Sequence, residues 1–241
     1  MTETSHSIAS VAVRIQHTLI SNTVTRAHWK KHVEACILYN FHAAMVPAMW
    51  VRPTVEALQG SGVRTASWID LPFGSATSSG KAHEASELVR AGADEIDLMP
   101  NLGLLLSGME NEFLEDIRGV VTAAEGRPVK VITEMTLLTP AQLERAVALA
   151  VEAGASYLKN LSGGAVGTAS AEQVRCLREL APTRVKVKAS GGIRTAQQVV
   201  NLLEAGAALV GTSHGVDIVG ELKGALRAGQ TPNAESAAKD Y

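Results

Sequence analysis

Short runs rich in β-branched residues alternate along the chain with longer segments whose apolar positions recur at helical spacing. Strands that alternate with helices are typical of βα units arranged around a parallel sheet. The pattern predicts eight strands, at residues 11–16, 41–46, 64–70, 95–99, 129–135, 157–160, 184–189 and 208–212.

Three of the intervening helices have clear ends in the sequence. They are predicted at residues 79–91, 140–153 and 195–205, and each is followed by the glycine of an Ala-Gly-Ala segment. Glycine is frequent just after a helix because it adopts the left-handed backbone conformation at little cost. Thr139 and Pro140 supply the cap and the first-turn proline of the second of these helices.

Eight evenly spaced strands favour a closed (β/α)8 TIM barrel, a fold that uses about 250 residues as one domain. A doubly wound open sheet is the structural alternative. We expect a single barrel domain over residues 1–229 and a loosely held tail over residues 230–241. In a barrel, the chemistry lies at the carboxyl ends of the strands and in the loops that follow them.

Composition and charge narrow the class of partner. With 46% hydrophobic and 19% charged residues, the chain suits a globular protein with a sizeable core. The net charge of -2, without a long block of like charges, argues against nucleic acid or a membrane as partner. We therefore expect a small-molecule partner.

The cysteines and the apolar runs bear on the compartment. Cys36 and Cys176 form neither a disulfide framework nor a metal-ligand pair. No run approaches the ~18 consecutive apolar residues of a membrane span, and the first ten residues lack the features of a secretory signal. These features predict a cytoplasmic protein.

Charged side chains occur within several predicted strands, which is costly in a buried parallel sheet unless the charges are paired. Taken singly, a strand lysine is more often salt-bridged or extended toward solvent than catalytic. Together, charges on four consecutive strands indicate an active site at one mouth of the barrel. Period-two alternation groups them as Glu95 with Asp97, Lys130 with Glu134, and Lys186 with Lys188, with Lys159 on the intervening strand.

Lys159 is the predicted nucleophile, and Lys188 is its predicted neighbour. An amine with the usual pKa of about 10.4 is almost fully protonated at neutral pH and cannot attack a carbonyl. A neighbouring cation and partial burial favour the neutral, nucleophilic form. Asp97 is the best-placed carboxylate to move protons while a Schiff base forms. We expect no metal and no other cofactor, since the histidines show no metal-ligand spacing with carboxylates.

Glycine-rich segments at the ends of the last three strands form a second candidate site. Barrels often build a phosphate site there from backbone N–H groups and the start of a helix. One Gly-Gly pair is usually only a turn, whereas three clustered segments favour phosphate binding. The candidate substrate-binding residues are Ser162, Gly163, Gly191, Gly192, Gly211 and Ser213.

Three segments carry a resemblance to a known family, with the sequences AGADEID at 91–97, KVITE at 130–134 and VKASGGIRT at 187–195. They resemble the deoxyribose-phosphate aldolases, which are class I, metal-free aldolases built on a (β/α)8 barrel. The resemblance implies that Lys159 forms the Schiff base, that Lys188 is the second lysine perturbing it, and that Asp97 relays protons.

The resemblance also implies how substrate is held. Gly163, Gly191, Gly192 and Ser213 would fall at the family's phosphate site, and Arg194 is a further candidate for substrate binding. The C-terminal Tyr241 would assist proton transfer from a mobile tail. Barrels of this kind are commonly dimers or larger, so a homo-oligomer is expected.

Several positions depart from the family pattern. Gln16 stands where an aspartate is usual, Leu209 where an arginine is usual, and Lys186 where a small residue is usual. Gln16 and Lys186 together make the barrel interior more positive, which suggests a substrate with an additional anionic group. Alternatively, Lys186 lies low in the barrel and pairs with Glu95 or Glu134. The remaining changes are at Met45, Pro47, Ala48, Asn160, Leu161, Ser162 and His214.

Three functions are therefore weighed. The first is cleavage or formation of 2-deoxy-D-ribose 5-phosphate, with acetaldehyde and glyceraldehyde 3-phosphate as the two halves. The second is a Schiff-base aldol or condensation step on a different, more anionic substrate. The third is a ligand-binding barrel without catalysis, which the joint presence of Lys159, Lys188 and Asp97 argues against.

Overall fold

The structure is a computed structural model that describes residues 7–227. Its eight strands are parallel; each pairs with the next along the chain, and the last closes on the first. The predicted (β/α)8 TIM barrel is therefore confirmed, and the open-sheet alternative is wrong. The strands are β1 Ile15–Thr18, β2 Ala43–Met45, β3 Arg64–Ile69, β4 Glu95–Leu98, β5 Val129–Ile132, β6 Tyr157–Lys159, β7 Lys186–Ser190 and β8 Leu209–Thr212.

Helices surround the barrel and connect its strands. They are α1 Ile8–Ala12, α2 Arg26–Tyr39, α3 Val51–Ala57, α4 Ser78–Ala91, α5 Leu102–Leu106, α6 Glu110–Ala123, α7 Pro140–Glu152, α8 Ala171–Leu180, α9 Ala196–Glu204 and α10 Gly215–Arg227. Short 3-10 turns follow three of the strands, at Ala48–Trp50, Met135–Leu137 and Gly164–Val166.

The first predicted strand, residues 11–16, is partly wrong. Val11 and Ala12 belong to α1, and β1 begins only at Ile15. The side chain of Ser7 accepts a hydrogen bond from the backbone N–H of Ser10 and so caps this helix. A short apolar run suits a buried helix as well as a buried strand, and here the serine cap favours the helix.

The predicted helix ends agree with the structure to within one residue. Thr139 and Gln142 form a capping box at the start of α7, and Pro140 is its first residue. Gly92 has a φ of 97° at the end of α4, in the left-handed region that other residues avoid. A Cβ at this position would also lie 3.1 Å from a methyl group of Val55. Glycine here therefore ends the helix and allows close packing.

The barrel interior has an apolar side and a charged side. Strands β2 and β3 contribute a small cluster of Ala43, Met45 and Ala66, against which Trp68 packs. Strands β4 to β7 contribute buried carboxylates and lysines to the same interior. The outward-facing residues of these strands, such as Ile96 and Val187, belong to the main core between barrel and helices. The functional charges are therefore concentrated on one side of the barrel axis.

Residues 7–227 contain no helix long and apolar enough to cross a membrane. The domain limit predicted at residue 229, the predicted tail of residues 230–241 and the role predicted for Tyr241 lie outside the described residues.

Candidate active site

Three lysines surround one buried carboxylate. Lys159 and Lys188 both donate hydrogen bonds to Asp97 Oδ2, with Nζ–Oδ2 distances of 2.9 and 2.6 Å. Lys130 Nζ lies 3.5 Å from the other oxygen, Oδ1. Strand pairing explains the arrangement, because Lys159 is the direct neighbour of Lys188 in the sheet and Asp97 that of Lys130. The structure therefore brings together the three predicted catalytic residues.

Burial and mutual charge change the acid-base properties of this group. The pKa of Lys188 is lowered to about 7: burial has the largest effect, Asp97 acts in the opposite direction, and the nearby Lys159 and Lys130 act in the same direction as burial. For Asp97, burial disfavours ionisation, but the charges of the three lysines outweigh it and lower the pKa of the carboxyl. At neutral pH the site therefore holds an ionised carboxylate beside an amine that readily exchanges its proton.

A second buried carboxylate lies on the same strand, toward the amino end of the barrel. Glu95 accepts a hydrogen bond from Gln16 Nε2 at 2.6 Å and lies 2.8 Å from Lys130 Nζ. His42 Nε2 lies 2.8 Å from its other oxygen. The ion pair between Lys130 and Glu95 was not predicted from the sequence, because such a pair depends on the register of neighbouring strands.

A cavity of about 210 Å³ opens at the carboxyl end of the barrel, and both Lys159 and Lys188 line it. Every predicted substrate-binding residue lines it as well, namely Ser162, Gly163, Gly191, Gly192, Arg194, Gly211 and Ser213. Sequence reasoning missed the opposite wall, which includes Thr18, Trp68 and Leu71. Their positions at or just after strand ends could have indicated the cavity, but threonine, tryptophan and leucine are equally common in a protein core.

The glycine-rich loops pack closely around this cavity. Gly191 and Gly192 have φ values of 109° and 61°. A Cβ on Gly192 would lie 2.7 Å from Thr168 Oγ1, and one on Gly164 would lie 3.3 Å from the backbone N of Gly192. Side chains at these positions would force the loops apart, so glycine keeps the backbone close to any bound group.

Comparison with known proteins decides the family. No family model matches the chain. A deoxyribose-phosphate aldolase of Geobacillus sp. is 39% identical over 211 residues, which cover 87% of this chain and 95% of the relative. One of Bacillus subtilis is 38% identical over 211 residues, with the same coverage.

The chain belongs to the deoxyribose-phosphate aldolase family. A solved structure agrees with this assignment: the tetrameric deoxyribose-phosphate aldolase of Aeropyrum pernix has a TM-score of 0.84 and 31% identity, over 90% of this chain and 92% of that one. The predicted family, barrel fold and lyase class are thus confirmed.

In this member of the deoxyribose-phosphate aldolase family, the altered residues after Lys159 have structural partners. Asn160 Oδ1 accepts a hydrogen bond from the backbone N of Ser190 at 2.8 Å, and its Nδ2 donates to Gln173 Oε1 at 2.9 Å. The backbone N of Ser162 donates to Glu134 Oε1 at 2.9 Å. These bonds connect the end of β6 to β7, to the start of α8 and to the loop after β5.

Two predicted positions of charged residues need correction. Glu134 was expected on the interior face of β5 with Lys130, but β5 ends at Ile132 and Glu134 has a φ of 44° beyond it. Its carboxylate instead holds the loop after β6. Lys186 is exposed at the amino end of β7, with its Nζ 5.7 Å from the centre of the Tyr157 ring rather than in an ion pair with Glu95 or Glu134. Lys186 therefore adds no charge to the cavity, and the case for a more anionic substrate loses its main support.

Proposed function

We propose that this protein cleaves and forms 2-deoxy-D-ribose 5-phosphate through a Schiff base on Lys159. The observation that carries the proposal is the shared contact of Lys159 and Lys188 with Asp97 Oδ2, at the floor of a cavity walled by glycine-rich loops. The name that the curated relatives bear supports the same substrate.

The first stage converts the aldehyde into an iminium ion. The neutral amine of Lys159 attacks the aldehyde carbon, and a proton passes from the nitrogen to the oxygen to give a carbinolamine. Loss of that hydroxyl as water requires a second proton. Lys188 supplies protons at this stage, since burial holds its pKa near neutrality, at about 7. Asp97 stays ionised, accepts a hydrogen bond from each of the two lysines and so provides a path for protons between them.

The second stage breaks the carbon–carbon bond. Removal of the proton from the C3 hydroxyl lets the C2–C3 electron pair move toward the iminium nitrogen. Glyceraldehyde 3-phosphate leaves with C3 as its aldehyde, and the two-carbon fragment remains as an enamine on Lys159. Protonation of the enamine carbon and addition of water then release acetaldehyde and restore the amine.

The glycine-rich loops would hold the phosphate. Backbone N–H groups of such loops bind anions without needing a side-chain charge. Gly163, Gly191, Gly192 and Ser213 border the cavity beside the lysines, and Arg194 adds a positive charge to its rim. A phosphate held there would set the distance between the phosphate end of the substrate and Lys159.

Reductive trapping tests the proposal. Incubation with acetaldehyde and sodium borohydride should convert Lys159 into its N-ethyl form, a net gain of C2H4. Lys159→Met should abolish both this adduct and cleavage of 2-deoxy-D-ribose 5-phosphate. Trapping without cleavage would retain the Schiff base but reject the substrate. No adduct on the folded wild-type protein would reject the mechanism.

We also propose that the protein assembles as a homo-oligomer and acts in the cytoplasm. The tetramer of the Aeropyrum pernix relative supports the first point. The two free cysteines, Cys36 and Cys176, support the second. Light scattering on the purified full chain measures the mass of the assembly, and a monomer at micromolar concentration would reject the oligomer.

A further inference from the structure

Five charged or polar side chains from other parts of the barrel surround Glu95. Gln16 on β1 donates to its Oε2, and His42, just before β2, lies 2.8 Å from Oε1. Arg64 on β3 has its Nε 3.7 Å from Oε1, and Lys130 on β5 has its Nζ 2.8 Å from Oε2. On β6, the pKa of the Tyr157 hydroxyl is raised, first by burial and also by the negative charge of Glu95.

Lys130 lies between the two interior carboxylates. Its Nζ is 2.8 Å from Glu95 and 3.5 Å from Asp97, and the side chain is fully buried. Asp97 in turn contacts Lys159 and Lys188. The interior thus holds three lysines and two carboxylates in contact. A lysine that pairs with one carboxylate competes less for the other, so the two carboxylates are coupled.

We propose that Glu95 is a positioning residue for the reaction. Because Glu95 pairs with Lys130, Asp97 is free to pair with Lys159 and Lys188. This inference rests on the proposed function, because it concerns the protonation of the same amines. Glu95 is too deep to line the substrate cavity, and it acts through Lys130 and Asp97 rather than on the substrate.

Opposite charge changes should shift the pH dependence in opposite directions. In Glu95→Gln, Lys130 keeps Asp97 as its anionic partner but loses Glu95, and the interior gains one net positive charge, which favours neutral amines. In Lys130→Met, Asp97 serves two lysines rather than three, which favours protonated amines. We expect the pH of half-maximal trapping to fall by about one unit in the first variant and to rise by about one unit in the second.

The experiment measures the rate of borohydride trapping with acetaldehyde as a function of pH, together with cleavage of 2-deoxy-D-ribose 5-phosphate. Glu95→Asp keeps the charge and should restore a midpoint close to that of the wild type. Glu110→Gln is the matched control, since it removes an equal charge from a partly exposed residue of α6 that pairs with Arg145. Its midpoint should not move.

The outcomes separate this inference from the proposed function. Wild-type protein that traps no acetaldehyde rejects the proposed function. Wild-type trapping with unmoved midpoints, or with both midpoints moving the same way, rejects the role of Glu95. If circular dichroism shows that Glu95→Gln is unfolded, the midpoint of Lys130→Met decides alone, and only a rise supports the inference.

Discussion

Lys159 and Lys188 are direct neighbours in the sheet, and their ammonium groups share a single acceptor oxygen on Asp97. Two cations this close repel each other, and the one carboxylate between them offsets that repulsion only in part. A charge removed from either lysine therefore changes the protonation of the other. This coupling provides the most direct test of the site.

We expect Lys188→Leu to raise the pH of half-maximal activity by about one to two units, because the variant removes a cation beside the nucleophile. The pH profile of kcat/KM measures the effect. Lys186→Leu is the matched control, since Lys186 lies two residues earlier on β7 but is exposed at the amino end of the barrel. A profile that moves equally in both variants would contradict the role of Lys188.

Asp97→Asn should lower kcat by about 10²–10⁴-fold, the usual contribution of one acid-base group. The amide keeps the size of the side chain but can neither carry the charge nor move the proton. Stopped-flow or coupled assays on the folded variant measure the loss. Turnover within a few-fold of the wild type would show that Asp97 only fills space between the lysines.

Gly192→Ala should raise KM for the phosphorylated substrate by about tenfold and change kcat less, because the new Cβ would meet Thr168 Oγ1 and displace the loop. Gly60→Ala is the control: Gly60 has a similar φ, of 76°, but nothing lies within 4 Å of its Cβ position. Both variants carry the backbone strain and only the first disturbs the cavity. Equal effects on KM would argue against a phosphate site at Gly192.

Acid should destabilise the fold through a buried histidine pair. His17 and His32 stack with ring centres 4.6 Å apart, and burial lowers their pKa values from 6.5 to about 4 and about 3. Between these values and 6.5 the unfolded chain binds protons that the folded chain excludes, so stability is full above pH 6.5 and is lost as the pH falls below it. The loss is about 2 kcal/mol per histidine from about pH 7.5 to about pH 5.

Urea unfolding at the two pH values measures this loss. His32→Leu should remove about half of the pH dependence. His83→Leu, at an exposed position of α4, should keep all of it. A pH dependence that is unchanged in His32→Leu would show that other groups titrate in this range.

Much of the site could be predicted because strand alternation is a strong constraint. Charges such as Lys159 and Asp97 stand out in buried parallel strands, and barrel closure then brings the strand ends together. The contact between Lys130 and Glu95 could not be predicted in the same way. In the sheet register Lys130 lies beside Asp97, and alternation alone does not give that register. Alternation gives the face of a residue but not its height along the barrel axis.

Other misses have local causes. Glu134 follows a sequence that is typical of a strand, but β5 has already ended: Glu134 has a left-handed backbone conformation, and its carboxylate accepts a hydrogen bond from the loop after β6. Trp68 lines the cavity, but an aromatic residue in a strand equally fits a core. Such positions depend on partners that are far away in the sequence.

Asp97 comes from the first four strands of the barrel, and the three lysines around it come from the last four. Neither half-barrel could bury these groups alone, because β1 to β4 supply Glu95 and Asp97 without a lysine in the barrel interior, and β5 to β7 supply the three lysines without a carboxylate. Unpaired buried charge is strongly unfavourable, so each half is electrostatically incomplete until it docks on the other. The reactive centre thereby helps to make folding of the two halves cooperative, and catalytic competence arises only when they join.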